Sequence, residues 1–91
     1  SNKLNHSLRL TRRQMEQFHG KQVPGAIEKI WPNLGHEDRF IRYAARVALE
    51  HQPVSDWADR ALAEKDLQTA LSALLALSHQ GDASQQGALL E

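Results

Sequence analysis

Three arginines, Arg39, Arg42 and Arg46, are spaced by three and four residues in the stretch DRFIRYAARVALEHQ (38–52), so they project from one face of a helix. A guanidinium stripe of this kind could hold phosphates. The same stretch places Asp38 four residues before Arg42 and Glu50 four residues after Arg46, which neutralises much of the stripe within its own helix. A second cluster, Arg9, Arg12 and Arg13, has only Glu16 nearby. It could contact nucleic acid, an acidic partner or an adjoining domain, and a solvated helix surface is its simpler reading.

Other residue types with chemical potential are poorly placed to use it. The five histidines, His6, His19, His36, His51 and His79, form no H-x-x-x-H or H-E-x-x-H pair, and GHEDR sets His36, Glu37 and Asp38 pointing in different directions on any helix. No metal site or cofactor is expected from them. Near helix ends, His51 and His79 are expected to meet terminal carbonyls. Glu37 with Asp38, and Asp56 with Asp59, read as first-turn acids that favour helix starts. The chain has no cysteine, no G-x-S-x-G and no glycine-rich phosphate loop, so catalysis is not expected. Trp31 and Trp57, each near a proline, could anchor a partner, but burial between adjacent helices is the preferred reading.

The elements that must position these groups are helical. Ninety-one residues, 41% hydrophobic and 24% charged, suit one small domain, and apolar residues recur at three and four throughout with no hairpin signal. Eleven basic and eleven acidic side chains cancel, which leaves any polyanion to be held by a local patch. The start and stop chemistry predicts helices over 7–19 (Ser7 as cap, Gly20 as end), 24–34 (Pro24 at the entrance, Pro32 as a kink, Gly35 at the exit) and 37–51. A fourth follows over 53–64, a fifth over 67–80 capped by Asp66 and closed by Gly81, and a sixth starts at about 83 and is cut short. Leu8, Leu10, Met15 and Phe18 should supply the apolar face of the first helix. The alanines 44, 45, 48, 70, 73 and 76 should let helix backbones approach closely, with Phe40, Ile41, Val47, Leu49, Leu71, Leu74, Leu75 and Leu77 filling the gaps. No apolar run is long enough to cross a bilayer. Ser1 and Asn2 look like a tag remnant, and with no initiator Met the chain is read as a piece of a longer protein.

A displacement of 28 positions matches Leu34 with Leu62 and Leu90, Asp38 with Asp66, Ala45 with Ala73, Ala48-Leu49 with Ala76-Leu77, and His51-Gln52 with His79-Gln80. A fixed period holding two helices per unit predicts stacked repeats. Asp38, Ile41-Arg42, Ala44-Ala45 and Ala48-Leu49 follow the D-x-x-V-R-x-A-A-x-x-A-L pattern, and the chain thereby resembles HEAT repeats. That resemblance implies an all-α fold of antiparallel helix pairs in a short α-solenoid, with Asp38, Arg42 and Asp66 serving the repeat. Ala70 stands where the second unit would carry the arginine, which leaves no continuous Asp–Arg ladder. The run LGHEDRFIRYAARVALEHQPVSDW, with RRQMEQFHG upstream, is also similar to helical linkers of large secreted bacterial proteins that join a sugar-dehydrogenase-like propeller to a c-type haem domain. This second resemblance implies an extracytoplasmic location.

The organisation expected is an N-terminal helix and linker (1–23) followed by units 24–52, 53–80 and a truncated 81–91. The function expected is a non-catalytic scaffold or spacer that meets a protein partner or neighbouring domains through a surface carrying Arg9, Arg12, Arg13, Arg39 and Arg46. The competing reading is a nucleic-acid-binding helical repeat that uses these arginines together with Arg42. Ala88, Leu89 and Leu90 would begin an apolar face with nothing behind it, so self-association through that end is also expected.

Overall fold

The computed structural model describes the backbone of residues 2–90 and the side chains of residues 4–80. Among these the fold is all-helical: α1 (Asn2–Glu16), α2 (Ala26–Ile30), α3 (Arg39–Glu50), α4 (Ala58–Ala63) and α5 (Leu67–Leu90). Two 3-10 turns, Trp31–Asn33 and Val54–Asp56, extend α2 and precede α4.

Several helix boundaries follow local chemistry, and two do not, at Ser7 and at Gly81. Ser7 does not start α1; it lies inside the helix, where its carbonyl accepts a hydrogen bond from the Thr11 hydroxyl at 3.1 Å. The chain leaves α1 through a turn that ends at Gly20, whose φ of 74° is open to glycine at little cost. Pro32 converts the end of the second helix into a 3-10 turn, as its missing N–H and fixed φ require. Gly81 does not close α5, which runs on to Leu90, so the sixth helix is not a separate element and the truncated unit continues α5. An isolated glycine costs a helix only about 1 kcal/mol against alanine, too little to end one. The side chains of Ala88, Leu89 and Leu90 lie outside those described.

The α3 helix is the hub, packed between α1 and α5, with α2 lying against α3 and α4 against α5. The α2 segment meets α4 through Trp31 Nε1, which donates to Glu64 at 2.6 Å, and through the Arg60–Glu28 ion pair at 2.7 Å. The buried stripe of α3 is Ile41, Ala44, Ala45, Ala48 and Leu49, and on α5 it includes Ala73 and Ala76. Small side chains at these positions let α3 and α5 pack closely, and Ser72 Oγ on α5 donates to the carbonyl of Leu34, at the end of the 3-10 turn, at 2.6 Å. Gly35 sits at the tightest approach, because a Cβ there would meet Thr69 Oγ1 at 2.5 Å and Asp66 Oδ2 at 3.2 Å. Trp31 and Trp57 are both buried, and they anchor the core with Met15, Ile30 and Leu34.

Several residues assigned to the core from the sequence are exposed. Leu10, Phe40, Leu71, Leu74 and Leu75 are all at least 40% accessible. Their helices bury one face only, and these side chains project from the other.

Two glutamines donate to backbone carbonyls about 30 residues earlier in the chain. Gln52 is buried, donates through Nε2 to the Lys21 carbonyl at 2.7 Å, and accepts from the Val23 N–H at 3.0 Å. Gln80, 28 positions later, donates through Nε2 to the Glu50 carbonyl at the end of α3.

Candidate functional site

The exposed edge of α3 is a ridge of aromatic rings and guanidinium groups. Phe40 and Tyr43 are 56% and 60% accessible. The Arg39 guanidinium lies 5.2 Å from the Phe40 ring centre and that of Arg46 lies 5.1 Å from Tyr43, distances at which the ring quadrupole attracts the cation. These rings arise where they do because residues advance about 100° each around an α-helix. Ile41, Ala45 and Ala48 take the inward arc, so Phe40 and Tyr43 fall outside it.

A groove flanks each side of the ridge. Between α3 and α5, Arg39, Arg42, Tyr43 and Arg46 face Gln68, Leu71, Ser72 and Leu75. Between α1 and α3, Arg9 and Arg12 are grouped with Asn5, Leu8, Asp38, Phe40 and Ile41. The structure thus gathers Arg39, Arg42 and Arg46 along one groove and Arg9 with Arg12 along its neighbour. Arg13 is exposed and lines neither.

The arginines differ in what they touch. Arg42 does not pair with Asp38; its Nη1 donates to the carbonyls of His36 at 2.7 Å and Glu37 at 3.1 Å, tying down the loop that enters α3. The Asp38 carboxylate instead accepts from the N–H groups of Phe40 and Ile41 at 2.8 and 3.1 Å, capping the helix. Arg46 pairs with Glu50 at 2.6 Å, and His79 Nδ1 lies 2.8 Å from the same carboxylate oxygen. Arg9, Arg12, Arg13 and Arg39 make no ion pair or hydrogen bond among the described residues. Asp66, just before α5, accepts from the Thr69 N–H at 3.0 Å and hydroxyl at 2.8 Å, which holds its carboxyl below the usual range. Glu64, on the α4 side, is also held low, first by the Trp31 indole N–H and then by the backbone N–H of Asp66 and of Lys65.

The histidines are scattered into structural roles. His19 Nε2 donates to the Ala44 carbonyl at 3.0 Å, and His36 Nδ1 accepts from the Asp38 N–H at 2.9 Å. Neither His51 nor His79 caps a helix carbonyl: the His51 ring lies 6.1 Å from that of His19, and His79 joins Arg46 and Glu50. No three His, Asp or Glu side chains among the described residues converge as a metal site would require.

Sequence reasoning missed the contribution of Phe40, Tyr43, Leu71 and Leu75 to this surface. For Phe40 and Tyr43 the signal was present, since both lie off the arc defined by Ile41 and the alanines. No helix among the described residues is long and apolar enough to cross a membrane. No family model, curated protein or solved structure matches this chain, so its functional reading rests on the geometry alone.

Proposed function

We propose that the chain is a non-catalytic helical-repeat segment, a scaffold or spacer of HEAT-like organisation that offers its α1–α3–α5 side to a protein partner. The observation that carries this reading is the pair of glutamine links. Gln52 reaches the carbonyl of Lys21, just beyond α1, and Gln80 reaches the last carbonyl of α3. The same residue type, displaced by 28 positions, makes the same kind of link to a backbone carbonyl of the preceding segment. Such an echo is what stacking of equivalent units produces. The exposed arginine and aromatic ridge then supplies the types that dominate protein interfaces.

Duplicating residues 53–80 directly after Gln80 tests the organisation. In a solenoid each added unit gains an interface with the one before it, so the denaturation midpoint and the steepness of the transition should both rise. An added unit that unfolds independently, with the original midpoint unchanged, would remove the repeat reading.

A further inference from the structure

The groove between α3 and α5 has a chemistry that selects its occupant, and we propose that it binds an acidic amphipathic helix of a partner protein. This rests on the reading of the α1–α3–α5 side as an interaction surface, and it specifies the ligand.

One wall is basic. Arg39 has no ion pair or hydrogen bond among the described residues, and Arg42 and Arg46 use only Nη1 in theirs. Since a guanidinium carries five N–H donors, each of the three retains groups able to take a carboxylate. Their positions at i, i+3 and i+7 span roughly 10 Å at the rise of an α-helix. Carboxylates with the same spacing on an opposing helix would match that span one for one.

The other wall is aliphatic. Leu71 and Leu75, one helical turn apart on α5, are 54% and 46% accessible, and Tyr43 stands at the rim with its ring exposed. A ligand that fills the groove must therefore carry Asp or Glu along one edge and leucine-like side chains along the next. That is the pattern of an acidic amphipathic helix.

Nucleic acid fits less well. Tyr43 is the one ring among the groove's lining residues on which a base could stack, the leucine wall offers no such plane, and the chain has eleven acidic groups to offset its eleven basic ones. Glu50 is already held by Arg46 and His79, and the Asp38 carboxylate by the N–H groups of Phe40 and Ile41. None of the side chains that line the groove is acidic, so partner carboxylates meet no negative charge within it.

The test uses a labelled helical peptide of about 18 residues, long enough to hold helical structure, with leucines at helical spacing and glutamates along the adjoining edge. Its lysine counterpart, a single-stranded oligonucleotide and a duplex are titrated in parallel. The glutamate peptide should bind, the lysine peptide should not, and amide shifts should move at Arg39, Tyr43, Leu71 and Leu75. Arg39→Glu should weaken binding at least about tenfold through loss of a charge-assisted contact, while circular dichroism and the denaturation midpoint stay unchanged. Equal binding of the lysine peptide, or tighter binding of either oligonucleotide, would overturn the proposal. Binding of the glutamate peptide with shifts confined to α2 and α4 would overturn the groove assignment and leave the interaction reading standing. Absence of binding by the glutamate peptide would overturn the acidic-helix proposal alone, because the unit-duplication experiment judges the repeat reading independently.

Discussion

Leu34 and Leu62 stand 28 positions apart in the sequence match between 24–52 and 53–80, yet Leu34 is fully buried and Leu62 is 69% accessible. The alanines behave alike in both pairs: Ala45 and Ala73, and Ala48 and Ala76, are all at 0%. The difference is one of neighbours. Leu34 leads into α3, which has α1 against one side and α5 against the other, whereas Leu62 lies on α4, which packs mainly against α5. Burial at the inner seam is thus set by side-chain size, and burial at the outer positions by whether a further helix is there to cover them.

The largest test of this contrast is a pair of truncations. Leu34→Ala should cost about 3 kcal/mol, since it empties a fully enclosed site. Leu62→Ala should stay within about 0.5 kcal/mol, as exposed substitutions usually do. Urea denaturation of both reads the difference, and equal losses would mean that Leu62 is covered in solution.

A smaller effect separates the two glutamines. Gln52→Ala should cost about 2 kcal/mol because the Val23 N–H and Lys21 carbonyl lose a buried partner. Gln80→Ala, at a half-buried position with one carbonyl partner, should cost about 0.5 kcal/mol. If Gln80→Ala proved the more damaging, the second link would be the stronger of the two.

Smaller again is the contrast between Arg42 and Arg39 on the same helix. Arg42→Ala should cost about 1 kcal/mol through release of the carbonyls of His36 and Glu37, while Arg39→Ala should leave the melting temperature where it was. Comparable losses would show that Arg39 also serves the fold.

The finest distinction is in acid. Glu64 and Asp66, both leading into α5, have lowered pKa values. A lowered value in the folded chain means that stability is fully present above the ordinary carboxylate range and is lost as pH falls through the lowered value. Glu64→Gln should therefore flatten the acid side of the stability curve, as denaturation midpoints from neutral pH downward would reveal. An unchanged acid slope would discharge the Trp31–Glu64 contact from that role.

Much of the helical content was legible in the sequence because it depends on local chemistry. Pro32 at its 3-10 turn, the close-packed alanines and the two buried tryptophans follow from ring geometry, side-chain volume and apolar area. What could not be read is whatever depends on neighbours. Ser7 has a cap's side chain but lies within a helix that starts five residues earlier, and Gly81 has a terminator's backbone within a helix that continues. Leu71 and Leu75 are as apolar as Leu49, and only the absence of a described helix over them makes them groove walls. The surface arginines were found by spacing, but their division into loop anchor (Arg42), ion-pair member (Arg46) and unpaired cation (Arg39) depends on carbonyls and carboxylates that fold into reach. The exposure of Phe40 is legible in the sequence, because its angular position relative to Ile41 sets it off the buried arc.

The glutamine links have a consequence for how the molecule comes apart. Gln52 ties the segment that follows α1, through the Lys21 carbonyl and the Val23 N–H, to the end of α3, where its Nε2 also donates to the Ala48 carbonyl at 3.2 Å. Peeling that segment away would leave the buried side-chain carbonyl without its Val23 donor, which disfavours fraying there and couples the opening of the segment to that of α3. A single buried amide, bonded both to the segment after α1 and to α3, thereby acts as a cooperativity element. Native-state hydrogen exchange would register it as a shared opening free energy for the segment around Val23 and for α3, and that sharing would be lost when the amide is removed.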